Sequence, residues 1–449
     1  MATIMPVPMP GWRRALTSGI GLVAATIVAS NVLRIVSTIV LTRVLSPADF
    51  GVAGLTAVII GILAMMSDFG FGVYIVQHPK GDDARVLDSI WTVRLLRAVA
   101  LTFLLFACAA PLAWLLGKAE MRAVIAVISL QFLIEGCSSL APFSAVREQR
   151  IGRLSLLDIL TAVSQTLLGI ALAVLLRNYW GIILAGLLGT GLRSILSYTM
   201  FDNSARRFNF DLGSALALWR FGRTIAGAHT IQVLLSNADK LVLSRVFPFD
   251  LFGLYALASN LAAAPSAFTS IYPNRILLPA YAQAYRAGGG ALAAVYYRDR
   301  RRIMLLYMLA TGGFIAMAPS VVALLYDPGY AGTATYLRLL MLAPALALNN
   351  YAAREALIVA DRVRTLLFAN FVRLGWLLVA GTGGFMAFGP IGLVGAVGLV
   401  EVPVMLYCWY ELARIGVFRI AEEALLLGTL AAGFLLGLVG NLVYFAAWS

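Results

Sequence analysis

Apolar runs of about 20 residues, separated by short basic connectors, recur along almost the whole chain. A helix needs roughly 20 apolar residues to cross the hydrocarbon core. In lipid every backbone N–H and C=O must also be bonded within the spanning structure. Thirteen spans are expected, near 16–40, 49–67, 93–116, 121–144, 155–176, 180–199, 222–244, 252–274, 303–325, 334–358, 364–386, 389–409 and 423–446. The runs are unbroken, whereas barrel strands would be short and alternating. The fold class is therefore all-α and polytopic in the membrane. Charged residues make up 12% of the chain, about half the share of a soluble domain. With connectors this short, no large soluble domain is expected.

The basic residues orient the spans. Lys and Arg number 34 against 21 Asp and Glu, a formal net charge of +13. The positive-inside rule accounts for most of this excess; an anionic substrate or anionic lipid is the sharper reading. Placing Arg13 and Arg14 in the cytoplasm puts Lys80 and Arg85, then Arg147, Arg150 and Arg153, then Arg298 and Arg300 to Arg302 on that same side. The opposite connectors carry few cations. Segment 16–42 is followed by no small-residue cleavage site, so it is expected to be a retained span. The N-terminus is then cytoplasmic and the C-terminus periplasmic, provided 423–446 spans. Three scattered cysteines and two histidines offer no metal spacing and no disulfide framework, so no metal or other cofactor is expected.

Two connectors match. LTRVLSPADFG at 41–51 and LSRVFPFDLFG at 243–253 share Leu41/Leu243, Arg43/Arg245, Val44/Val246, Phe50/Phe252 and Gly51/Gly253. Each would join an odd-numbered span to the next. Spans one to six would then repeat as spans seven to twelve. Because six is even, both halves insert the same way, as two six-helix bundles related by a pseudo-twofold axis along the membrane normal. The expected divisions are 1–205, 206–415 and an additional helix in 416–449. A chance match of two amphipathic connectors is the alternative.

The stretch TIVLTRVLSPADFGVAGLTAVIIGILAMMSDFGFGVYIVQ, residues 38–77, resembles the opening of bacterial polysaccharide flippases. These are the Wzx-like exporters of the multidrug/oligosaccharidyl-lipid/polysaccharide superfamily. Arg43, Leu45, Pro47, Phe50 and Gly51 match the connector, and Asp68, Gly70 and Ile75 match the end of the second span. AVREQRIGRLSLLDILTAV, LLSNADKLVLSRVF and YLRLLMLAPALALNNYAAREALIVADRVR resemble later family segments. The resemblance implies a transporter, with two six-helix bundles around a central cavity and alternating access. It implies a substrate of oligosaccharide on undecaprenyl pyrophosphate, carried across the inner membrane for lipopolysaccharide or exopolysaccharide synthesis. Polymerase and chain-length proteins of the same pathway are possible partners; nucleic acid is not.

A pyrophosphate crossing the hydrocarbon region needs cations that face a cavity. Arg34 leads the candidates, because Asn31 and Thr38 lie on its helix face. The competing reading is an ion pair with a distant acid, or snorkelling to the headgroups. Arg223, Lys240, Arg338 and Arg373 are further candidate substrate cations. Glu135, Asp158, Asp239 and Glu401 are candidate coupling acids or ion-pair partners, Glu401 with Arg338 or Arg373. Arg43, Pro47, Gly51, Arg245 and Gly253 read as structural hinge residues. Asp68 and Gly70 read as a helix break, for a gate or for packing.

Two rival functions remain open on the sequence. A multidrug exporter of the same superfamily would favour acids in the first and seventh spans, yet the first offers Arg34 and no acid. A membrane enzyme acting on lipid-linked saccharides would need a large polar loop, which the chain lacks.

Overall fold

The break between the first two helices is written in Ser46-Pro47-Ala48-Asp49. In the computed structural model, which describes residues 19–79, 81–202, 204–288 and 290–448, helix α1 (Gly19–Thr42) stops before it and α2 (Pro47–Met66) starts from it. Asp49 N donates to Ser46 Oγ at 3.3 Å, and Ser46 N donates to Asp49 Oδ2 at 3.0 Å. This capping box satisfies two donors that a helix start leaves open. Pro47 sits at the first helical position, where its missing N–H costs nothing. Asp49 Oδ1 also accepts the backbone N–H of Tyr179 at 2.8 Å. Arg13, Arg14 and Lys80, on which part of the orientation rests, lie outside the described residues.

Helices follow without strands among the described residues: α3 (Phe71–Gln77), α4 (Ala84–Ala107), α5 (Ala109–Leu116), α6 (Met121–Gly136), α7 (Ala141–Arg147), α8 (Ile151–Leu176), α9 (Trp180–Thr199) and α10 (Leu212–Val246). Next come α11 (Phe249–Ala262), α12 (Ser266–Tyr272), a π turn over Pro273–Leu277, α13 (Leu278–Ala287), α14 (Ala291–Ala316) and α15 (Ala318–Leu325). The chain closes with α16 (Thr333–Leu340), α17 (Leu342–Val359), α18 (Arg364–Phe388), α19 (Pro390–Gly398), α20 (Glu401–Arg414) and α21 (Ile420–Trp448).

Residues 16–18 of the first expected span lie outside the described residues; elsewhere every expected span falls mostly on helix. Eight helices among the described residues are long and apolar enough to cross a membrane, or ten if two bent pairs each count as one. The pairs bend by 53° between α6 and α7 and by 68° between α14 and α15. The other three expected spans, 222–244, 252–274 and 334–358, are helical but more polar or more broken. Helix α10 carries Arg220, Arg223, Asp239 and Lys240; the second is interrupted before Ser266 and by the π turn; the third is broken at Met341. Several helices also begin earlier than the apolar runs. Helix α4 starts at Ala84, α10 at Leu212 and α14 at Ala291, because the segments carrying basic residues ahead of the apolar runs are helical too. The chain is a multi-pass membrane protein.

Helix contacts divide the chain into two units, the first ending at Arg245 and the second starting at Val246. In the first, α1 packs on α8, α8 on α9, and α4 on α6. Phe71, Tyr74, Ile75, Leu87, Ile90, Leu140 and Leu218 form a buried cluster there. Gly70 adopts a left-handed conformation (φ 67°) that starts α3, and its N–H donates to Asp68 Oδ1 at 2.9 Å.

In the second unit, α21 lies directly on α14. The contact runs through Gly433-Phe-Leu-Leu-Gly437. A Cβ on Gly433 would sit 2.2 Å from the carbonyl oxygen of Leu309, and one on Gly437 would sit 2.4 Å from that of Gly313. Two glycines spaced by four let helix backbones touch, as in membrane helix pairs generally. Expected as an addition outside the repeat, α21 is built into this unit's core, where Leu426 packs with Met304, Tyr296 and Leu348.

Candidate functional site

The polar stripe of α1 forms as its spacing implies. Arg34 Nη2 donates to Asn31 Oδ1 at 3.1 Å, Asn31 Nδ2 donates to the carbonyl of Ile27 at 2.8 Å, and Thr38 Oγ1 donates to the carbonyl of Arg34 at 2.8 Å. Arg34 and Asn31 are exposed. Among the described residues, no carboxylate lies within salt-bridge distance of Arg34. Its guanidinium is positioned by one neutral amide and keeps most of its donors open, as an anion receptor requires.

The other first-unit candidates are mostly committed. Arg94 is buried; its Nη2 donates to the carbonyl of Glu135 and to Ser138 Oγ, both at 2.9 Å, and approaches the Glu135 carboxylate at 3.9 Å. One turn on, Arg97 Nη1 donates to the Ser67 carbonyl, and its guanidinium lies 5.1 Å from the centroid of the Phe71 ring. The break at Asp68 and Gly70 is thus pinned from α4. Asp158 pairs with Arg193 at 2.8 Å. Lys240 Nζ donates to Asn237 Oδ1 at 3.2 Å, and Asp239 beside it is half-buried. Arg223 is exposed on α10.

The hinge residues sit at helix ends. Arg43 is exposed and Gly51 is buried in the first turns of α2. The Arg245 guanidinium lies against Gly117, which takes a left-handed conformation (φ 65°) where a side chain would collide with it. Gly253 is buried in α11, and Pro248, the residue before that helix, makes no side-chain cap.

In the second unit Arg373 and Glu401 meet. Arg373 Nη2 and Glu401 Oε1 are 2.7 Å apart, and Asn350 Nδ2 donates to Glu401 Oε2 at 2.7 Å and to its carbonyl at 2.9 Å. A cleft opens beside them among α17, α18 and α20. Arg338, the other possible partner of Glu401, instead donates from Nη2 to the carbonyl of Ala316 at 3.3 Å.

One charged centre was read differently from the sequence. Arg300, in the run Arg-Asp-Arg-Arg-Arg, looks like a cytoplasmic anchor, yet it is only 1% exposed. It pairs with Glu423 of α21, donates to Asn349 Oδ1, and lies over the rings of Tyr296 and Tyr297, with centroids at 3.9 and 4.9 Å. Glu423 Oε2 also accepts from Asn349 Nδ2 and Trp409 Nε1, each at 3.1 Å. The available signal was the spacing: tyrosines four and three residues before Arg300 share its helix face. Outside the spans, Asp202 is held below the usual carboxylate range by its hydrogen bond from Arg153 Nη1 (2.8 Å) and that cation's charge, with Arg150 adding to it.

Comparison with known proteins converges on one family. A family model described as "Polysaccharide biosynthesis protein" matches residues 40–335. The amylovoran biosynthesis protein AmsL of Erwinia amylovora is 25% identical over 60% of this chain and 69% of its own length. The succinoglycan biosynthesis transport protein ExoT of Rhizobium meliloti is 25% identical over 56% of this chain. The lipopolysaccharide biosynthesis protein WzxC of Escherichia coli is 23% identical over 56% of this chain. The matched region spans about half the length of the latter two, 50% and 51%. Among solved structures, the lipid II flippase MurJ in an inward closed conformation aligns with a TM-score of 0.66 at 12% identity, covering 95% of this chain and 98% of that one. An inward-facing multidrug resistance MATE family transporter of the MOP superfamily aligns at 0.61 and 16% identity, covering 88% and 95%. These two likenesses concern the fold. The chain belongs to the polysaccharide biosynthesis protein family.

Proposed function

We propose that this protein translocates an oligosaccharide linked to undecaprenyl pyrophosphate across the bacterial inner membrane by alternating access, for surface polysaccharide synthesis. Family membership and relatives named for succinoglycan transport and lipopolysaccharide biosynthesis support the substrate class. The observation that carries the mechanism is Arg34: an exposed guanidinium on an apolar helix, steadied by Asn31 and within reach of no carboxylate among the described residues. A dianionic pyrophosphate can supply the acceptors that the protein does not. Arg223 is a second contact on the same reading, and Lys240, Arg338 and Arg373 add cationic character. The protein acts as a transporter without catalysing a covalent step.

The N-terminus is cytoplasmic and the C-terminus periplasmic; the repeat comprises 1–205 and 206–415, with 416–449 added. Glu135 and Glu401 serve chiefly as partners of Arg94 and Arg373. Polymerase and chain-length proteins of the pathway receive the product.

The test is reconstitution into liposomes with a fluorescent undecaprenyl-pyrophosphate oligosaccharide. Wild type should move it, and Arg34→Ala should slow transport at least about tenfold, the loss of one charge-assisted contact. Unchanged transport in that variant removes Arg34 from the mechanism. A folded wild type that moves no substrate overturns the flippase reading. A reporter fused after Ser449 tests the topology, since cytoplasmic activity would exclude the thirteenth span.

A further inference from the structure

The cleft in the second unit has a chemistry that transport through Arg34 does not use. Arg354 of α17 and Arg373 of α18 line it, together with an apolar wall, the half-buried Leu366 and Ala369. Arg354 is exposed, and its guanidinium lies 5.8 Å from the centroid of the Tyr351 ring, which also lines the cleft. Glu401 pairs with Arg373, whereas the Arg354 guanidinium is in no salt bridge among the described residues and is available to an incoming anion.

Two buried polar atoms here lack partners. Asn350 is 5% exposed, and its Nδ2 donates twice to Glu401, leaving Oδ1 buried without a donor. Arg373 Nε is likewise buried without an acceptor. Native proteins leave few such atoms unmatched. An orphan acceptor and an orphan donor at one cleft call for a ligand with both an anionic oxygen and a hydroxyl. The apolar wall calls for a hydrocarbon chain on that ligand. Basic pockets between membrane helices suit phospholipid headgroups on these grounds.

We propose that this cleft binds the headgroup of an anionic phospholipid bearing a free hydroxyl, of the phosphatidylglycerol class. The phosphodiester lies against Arg354 and Arg373, the hydroxyl donates to Asn350 Oδ1, and an acyl chain follows Leu366 and Ala369. The lipid is a component of the bilayer and not the cargo, so the site stands whether or not the transport reading does.

The test uses the full chain in lipid nanodiscs, titrated with short-chain phosphatidylglycerol, phosphatidylcholine or inorganic phosphate and read by native mass spectrometry. Phosphatidylglycerol should bind wild type about tenfold more tightly than phosphatidylcholine, the scale of one charge-assisted contact. Arg354→Gln, a change at an exposed position, should abolish that preference, and Arg34→Ala should leave it intact. If Arg354→Gln does not fold, Arg354→Lys keeps the charge but loses the forked geometry, and should weaken binding about threefold. Equal binding of the two lipids by wild type overturns the proposal, as does an unchanged preference in the Arg354 variant that folds. Full displacement of phosphatidylglycerol by millimolar phosphate reduces the cleft to a simple anion site. Displacement by equimolar undecaprenyl pyrophosphate, in wild type and Arg34→Ala alike, hands the cleft to the cargo. Either result also overturns the proposal.

Discussion

Arg34 in the first unit and Arg300 in the second are both arginines on long helices of a membrane protein, and their surroundings are opposite. Arg300 is enclosed by Glu423, Asn349, Tyr296 and Tyr297, with 1% of its side chain exposed. Arg34 has one amide neighbour, Asn31, and open space. A buried cation must be paired, because losing its hydration costs several kcal/mol. An unpaired cation on an apolar helix faces a cavity or reaches the headgroups instead. Partner groups therefore separate structural arginines from those available to a ligand better than depth in the helix does.

That contrast is broken most severely at Glu423. Glu423→Ala leaves Arg300 charged and alone, and should cost about 3–5 kcal/mol in denaturant unfolding of the detergent-solubilised protein. Arg34→Ala should change the same measurement by no more than about 0.5 kcal/mol, since it removes no buried contact. Equal losses at the two sites would erase the distinction. Replacing both partners, Arg300→Met with Glu423→Leu, should restore much of the stability lost in the single variant.

A smaller effect is expected at Gly433, which lets α21 come close enough for Glu423 to reach Arg300. Gly433→Leu places a side chain against the Leu309 carbonyl and should cost about 1–3 kcal/mol by overpacking, read from thermal unfolding. Gly428, on the same helix with open space around it, provides the control: Gly428→Ala should be neutral or slightly stabilising.

The smallest effect belongs to Asp202, a fully exposed partner of Arg153 and Arg150. Its folded pKa is depressed, so its contribution is present above the unfolded value of about 3.9. The contribution is lost as pH falls through the folded value. Asp202→Asn should slightly flatten the fall in stability below about pH 4, and high salt should do the same in wild type. A steeper fall in the variant would contradict this sign.

Much of the architecture was legible because lipid imposes a length on apolar runs. Within the described residues the thirteen expected spans fall mostly on helix, and Pro47 and Pro248 both mark helix starts. Helix ends were less legible: Arg85 looked like a connector residue and is helical, since an arginine favours helix as readily as a polar turn. The two matched connectors also differ in a way that the five shared residues do not announce. Ser46 and Asp49 make a capping box, and nothing equivalent precedes Phe249.

The candidate site was legible as a set of residues more than as a set of partnerships. Arg34 with Asn31 and Thr38 follows from helix spacing alone, because all three share one face. Arg300 with Glu423 does not, since its partner lies 123 positions away and three other arginines surround it in the sequence. Arg373 with Glu401 falls between these cases: both were candidates, but only packing of α18 on α20 selects Arg373 over Arg338.

The Arg300–Glu423 pair also sets a clock for biosynthesis. The ribosome adds about 5–20 residues per second, so the 123 residues between the partners take about 6–25 seconds to make. During that interval α14 can be in the membrane while its buried cation has no carboxylate to meet. The nascent second unit must shelter Arg300 some other way, through lipid headgroups, water or the insertion machinery, until Glu423 emerges. Assembly of this unit is therefore completed late, and Arg300 is the place where an insertion factor would find an unfinished chain.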